Sequence, residues 1–160
     1  MNIEELKQRL FEEGCSPSNY SIGYRDSDVF CLMQLDGLWK VFYTERGLDQ
    51  EPIFESESEE AACDFFFRYQ TERIQHVHIV GQFFVKANAD ELDARLQQLG
   101  LHTWLNHIPH KHWTDVRRFR VFVVGMDIFK AREILGEKLP LQDRKPDEHG
   151  TSGETETLYH

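Results

Sequence analysis

The sequence predicts an α+β fold, antiparallel sheets carrying helices on one face, with a ferredoxin-like second half. Three observations predict it. An amphipathic stretch opens the chain, with Ile3, Leu6 and Leu10 recurring at helical spacing. Two β-rich runs, 29-VFCLMQL-35 and 38-LWKVFYT-44, flank Asp36-Gly37, the strongest short-range hairpin signal. In the second half, strand-like and helix-like segments follow one another in the order β-α-β-β-α, the pattern of a small layer with two helices on one sheet face.

Taken in order, the first helix is expected from Asn2 to Glu13, closed by Gly14 in a left-handed cap. A loop, SPSN, leads to a short strand, 20-YSIGY-24. In the second arm of the hairpin Trp39, Val41 and Tyr43 share one face while Leu38, Lys40, Phe42 and Thr44 share the other. Both faces carry apolar groups, so the hairpin is expected to be central to its sheet. Glu45-Arg46-Gly47 is expected where that strand leaves the sheet, the glycine supplying a turn and the charges ending the pairing surface. Arg46 would then pair with acidic groups and order the loop GLDQEP.

The run 52-PIFES-56 reads as another strand. Ser56, three residues before Glu59, suggests a capping box for a helix through 56-SESEEAACDFFFRYQ-70, with Ala62, Phe65, Phe66 and Tyr69 as its buried stripe. A strand follows at 76-HVHIVGQFFVK-86, with Gly81 placed for a bulge, and Asn88 with Glu91 is expected to cap the helix ADELDARLQQL. Strands 101-LHTWLNHI-108 and 119-FRVFVV-124 and a short helix, DIFKAREIL, complete the unit. The organisation expected is an acidic unit over 1–72, a β-α-β-β-α unit over 73–138 packed with it as one domain, and a solvated tail over 139–160, rich in Pro, Gly, Thr and Glu.

At 160 residues the chain fits one domain or two small ones, and 40% hydrophobic content is enough for a sizeable core. The opening, MNIEELKQRLFEEG, is charged and amphipathic, with no apolar core followed by a cleavage site, which argues against a secretory signal. No window approaches the ~18 apolar residues of a membrane span, so a soluble cytoplasmic protein without a membrane partner is expected. Cys15, Cys31 and Cys63 are odd in number and widely spaced, which indicates reduced thiols rather than a disulfide framework or a thiolate zinc site. The formal net charge of -10 is uneven: 6 basic and 16 acidic residues over 1–72, 9 and 6 over 73–135, 3 and 6 over 136–160. Such a field repels nucleic acid and attracts basic partners.

Histidine is the sharpest local feature. His76 and His78, two apart on an expected strand, point the same way, and one of His107, His110 or His112 could complete a zinc site; His76, His78 and His110 are the candidate ligands. The spacing of a paired metal motif is missing, and loop histidines beside Pro109 and Lys111 ordinarily face solvent. Arg117, Arg118 and Arg120 beside Phe119 and Phe122 resemble a nucleic-acid-binding strand, without its glycines and against the overall charge. No nucleophile elbow, phosphate-binding loop or dinucleotide fingerprint is present, so neither an enzyme nor a cofactor is expected.

Tyr20, Ser21 and Ile22, then Trp39, Val41 and Tyr43, then Glu45-Arg46-Gly47, Phe54, and Glu60, Ala62, Cys63, Phe65 and Phe66 form a pattern over about residues 20–67. It resembles the immunity proteins found beside bacterial polymorphic or contact-dependent toxins. The resemblance implies stoichiometric neutralisation of a cognate toxin protein domain, often a nuclease, without chemistry of its own. A nuclease presents a cationic cleft to phosphates, which Asp49, Glu51, Glu55, Glu57, Glu59 and Glu60 could mimic, with Tyr43, Arg46 and Phe54 supplying residence. The alternatives are a metal-binding or hydrolytic protein using the histidines, and a regulatory interaction module whose second half dimerises through a sheet edge.

Overall fold

The computed structural model describes residues 1–109 and 116–145. The fold is α+β, and the chain divides into two compact units, Met1–His76 and Val77–His160. Among the described residues no helix is long and apolar enough to cross a membrane.

In the first unit, helix α1 (Ile3–Glu12) starts at a reciprocal capping box. The Glu5 N–H donates to Asn2 Oδ1 at 2.9 Å and the Asn2 N–H donates to Glu5 Oε2 at 3.2 Å. Strand β1 (Tyr20–Ile22) pairs in parallel with β2 (Phe30–Leu35), a departure from the purely antiparallel sheet expected. Strand β2 runs antiparallel to β3 (Leu38–Glu45), with Asp36 and Gly37 at φ 53° and 81°, the two left-handed residues that the tight hairpin requires.

The far end of β3 differs from expectation. Arg46 and Gly47 have φ 51° and 80°, so the strand does not leave the sheet but reverses in a second tight hairpin into β4 (Leu48–Asp49). After an extended link, β5 (Phe54–Ser56) pairs with the other end of β3.

Helix α2 (Glu59–Glu72) is capped by Ser58, whose hydroxyl accepts the Ala61 N–H at 3.1 Å; Ser56, the expected cap, instead accepts the Ser58 N–H at 3.0 Å. Its buried stripe is Ala62, Cys63, Phe66 and Gln70, turned by about one position from the expected one. Phe65 and Tyr69 are half-buried and stack in a row with Phe54, which lies 4.4 Å from Phe65. Both helices cover one face of the sheet, joining Leu6, Leu10, Ala62, Cys63 and Phe66 to Ile22, Leu32 and Val41. Burial pushes the Cys15 and Cys63 thiols up to about 11, which keeps both protonated at neutral pH.

Gln70 is fully buried, and neither its amide nitrogen nor its oxygen has a hydrogen-bond partner among the described residues. An unmet buried amide costs roughly 1–3 kcal/mol. Gln70→Leu, which fills similar space without that penalty, is therefore expected to raise the unfolding free energy by a comparable ~1–3 kcal/mol. Urea titration of the two proteins side by side checks it, and a lower midpoint for the variant would contradict the unpaired amide.

In the second unit, β6 (Val77–Phe83), β7 (Thr103–Pro109), β8 (Arg117–Val124) and β9 (Leu141–Gln142) form a sheet in the order β7-β8-β6-β9. That is the ferredoxin-like strand order. One strand departs from the antiparallel pattern: β9 runs parallel to β6 and pairs only with Gly81 and Gln82. Gly81 sits at the expected bulge. A Cβ there would lie 2.5 Å from a ring carbon of Phe83 and 2.7 Å from Leu92 Cδ2, so the close packing of these core side chains favours glycine.

Helix α3 (Lys86–Gln98) and helix α4 (Asp127–Leu135) share one core with the same sheet face, through Ala89, Leu92, Leu96, Ile128, Ala131 and Leu135 on Val80, Val121 and Val123. Asn88 does not cap α3, which already begins at Lys86. Asp143 instead ties down the turn that leads into the helix: its carboxylate accepts the Phe84 N–H at 2.7 Å, the Val85 N–H at 3.1 Å and Asn88 Nδ2 at 2.8 Å. The segment expected to begin a solvated tail at 139 is thus built into the unit as far as Asp143, with Leu141 only 2% exposed.

Candidate functional site

Of the carboxylates singled out from the sequence, Asp49, Glu51 and Glu55 lie along the outer edge of β3. Strand β4 lies opposite Thr44 and Glu45, β5 lies opposite Trp39 to Val41, and the link between them stays attached. The Gln50 N–H donates to the Tyr43 carbonyl and the Ile53 N–H to the Val41 carbonyl, each at 2.8 Å. Residues 48–56 therefore form one continuous border. Asp49, Glu51 and Glu55 lie along it and Glu57 just past its end, and all four are exposed. Glu59 and Glu60 follow in the first turn of α2, where the helix dipole favours negative charge.

Internal cations hold two of these groups. Arg25 reaches Asp49 with Nε at 3.1 Å and Nη2 at 3.0 Å, while its guanidinium lies 5.7 Å from the Phe42 ring centroid on the face opposite the helices. This hydrogen bond raises the Arg25 pKa further above its ordinary value. Lys40 approaches Glu55 at 3.7 Å. Among the described residues no ion pair holds Glu51, Glu57, Glu59 or Glu60, so these four carry the outward field. Arg46 takes a different part from the one expected: its backbone N–H, at the tip of the second hairpin, meets the Asp28 carboxylate at 3.2 Å.

Tyr43 and Phe54 are half-buried on the helix side, Tyr43 5.0 Å from Phe30 and Phe54 against Phe65, so they support the edge from within. The apolar groups that the edge does expose are Leu48, 69% accessible, and Ile53, 43% accessible. Sequence reasoning passed over both. For Ile53 a signal existed: period-2 alternation with the inward Phe54 turns it outward. Leu48 became visible only once residues 46 and 47 proved to be a hairpin turn.

The histidines do not converge. His76 precedes β6 and belongs to the first unit, where it is buried with Nδ1 accepting the Ser16 N–H at 3.0 Å and its ring edge-on to Tyr20. His78 is half-buried in β6, and His107 Nδ1 accepts from Arg117 at 3.3 Å. His110 and His112 lie outside the described residues. Among the described residues no three His, Cys, Asp or Glu groups are grouped to hold a metal ion.

The arginine strand also divides. Phe119 faces the helix-covered core, whereas Phe122 lies on the opposite face, 5.1 Å from Trp104 and only 9% exposed. Arg118 lies 4.1 Å from the Phe84 ring centroid, and Arg120 donates to Asn106 at 2.8 Å. These side chains are committed within the unit.

No family model, no curated protein and no solved structure matches the chain.

Proposed function

We propose that the protein is a non-catalytic binding protein that neutralises a bacterial toxin domain in the cytoplasm, as the immunity-protein resemblance implies. Its acidic edge would meet a cationic surface such as a nuclease cleft. The observation that carries this reading is the border 48–56, where the exposed carboxylates Asp49, Glu51 and Glu55 are interleaved with exposed Leu48 and Ile53. A charged rim around a few apolar anchors is the anatomy of a protein interface. Complementary charge accelerates encounter, and apolar anchors slow dissociation.

On this reading the gene beside this one should encode a large secreted protein whose C-terminal domain is the toxin. Co-expression of this chain with that domain is expected to restore growth. Replacing Glu51, Glu57, Glu59 and Glu60 together with lysine reverses the unpaired charges while leaving the Arg25 and Lys40 pairs intact. At low salt the association rate should fall by ~10-fold or more, and its salt dependence should flatten. A wild-type rate in the quadruple variant would remove the acidic edge from the mechanism.

A further inference from the structure

The molecule guards its sheet edges unevenly. An unpaired strand edge invites another strand, and proteins blunt the hazard by shortness, charge, bulges or cover. Strand β9 has two residues, β1 has three buried ones, and the border of β3 is made of the short β4 and β5 with Asp49 and Glu55. Among the described residues, strand β7 shows none of these devices. It runs for seven residues, 103-TWLNHIP-109, holds unbroken register with β8, and contains no Asp, Glu, Lys or Arg. Its far side pairs with no strand among the described residues. Trp104 is 50% exposed on one face and Leu105 is 37% exposed on the other.

The backbone polarity of this edge is readable. The Val124 N–H donates to the His102 carbonyl at 3.1 Å, so His102 and every second residue after it direct their backbone groups at β8. Thr103, Leu105 and His107 therefore present theirs outward.

We propose that β7 pairs antiparallel with β7 of a second copy of this chain, about a two-fold axis at Asn106, joining two four-stranded sheets into one of eight strands. In that register the outward-facing Leu105 meets the partner's His107, so each pair exchanges two backbone hydrogen bonds. Trp104 falls opposite the partner's Ile108 on one sheet face, a favourable aromatic and β-branched pair that occurs twice by symmetry. Pro109, with no N–H to give, falls at the end of the ladder opposite Thr103. Self-complementarity selects the second copy as occupant: the two-fold register sets Trp104 on Ile108 twice and matches the outward backbone groups of Leu105 to those of His107. With a net charge of -10, two copies repel over most of their surfaces, and they can approach most freely along a strand that carries no charge.

Sedimentation equilibrium tests the proposal. The wild-type protein is expected to approach twice the 18.9 kDa of one chain as concentration rises. Leu105→Pro removes an N–H that faces away from β8, so it should leave the unit folded by circular dichroism yet hold the mass at one chain. If that variant fails to fold, Leu105→Lys serves, placing like charges against each other across the axis. Asn106→Cys places two thiols opposite each other at a non-hydrogen-bonded position, where Cα atoms lie ~4.5 Å apart, within disulfide reach. Mild oxidation should therefore give a cross-linked dimer. A wild-type protein that stays monomeric at its highest soluble concentration, or a folded Leu105→Pro or Leu105→Lys variant that still dimerises, would overturn the assignment.

Discussion

Leu141→Asp is expected to unfold the second unit at room temperature or bring it close to unfolding. Leu141 is 2% exposed and belongs to the same core as Val80, Phe83, Leu92 and Leu96. Truncating a buried leucine to alanine costs roughly 2–5 kcal/mol, from lost transfer energy and the cavity left behind. Aspartate adds the cost of an unpaired carboxylate in an apolar site, so the total should exceed ~4 kcal/mol, a large share of the stability of a small unit. The residue also aims its neighbour: β9 carries Asp143 to the backbone N–H groups of Phe84 and Val85, just ahead of α3, and to the side-chain amide of Asn88. Hydrogen exchange separates the two units. In the variant, protection should collapse across 77–109 and 116–135 while amides before residue 76 keep wild-type rates. Wild-type protection throughout would mean that β9 is not part of the core.

Leu141 also marks where the sequence stops being legible. Features decided by neighbours were readable: the Asp36-Gly37 hairpin, the Gly14 cap of α1 and the bulge at Gly81 all depend on backbone chemistry within a few residues. The turn at Arg46-Gly47 uses the same left-handed pair of residues as Asp36-Gly37. Arginine, unlike aspartate, carries no turn preference, so the signal was half missing. Features decided at a distance were not readable. Asp143 meets Phe84 across 59 positions and Ser16 meets His76 across 60, and no local pattern announces either. A short apolar island in a polar segment, Leu139-Pro140-Leu141, has the composition of a tail until a sheet edge is there to receive it. The candidate site divides along the same line. Its carboxylates were evident from the charge count. Which of them Arg25 and Lys40 would engage, and that Leu48 and Ile53 would be the exposed apolar groups, required the path of the chain around β3.

Phe66→Ala is expected to destabilise the first unit by roughly 3–5 kcal/mol, the cost of emptying a large aromatic site that cannot fully collapse. Phe66 is fully buried where α2 meets the sheet, edge-on to Tyr20 at 6.1 Å and in one cluster with Leu6, Leu10 and Val41. Phe65, its sequence neighbour with the same side chain, makes the natural control. It is half-buried and stacked between Phe54 and Tyr69, so Phe65→Ala should cost clearly less. The comparison fixes the rotation of α2, because the two residues lie about a quarter-turn apart on the helix and the sequence stripe admitted both. Its bearing on function runs through β5: Phe54 anchors the acidic border to α2 through Phe65, whereas Phe66 anchors α2 to the rest of the unit. Measured below the melting temperature of either variant, Phe65→Ala should loosen the border and slow association with a basic partner, while Phe66→Ala should lower stability with a smaller kinetic effect. Equal urea midpoints for the two variants would show that α2 does not present Phe66 to the core as described.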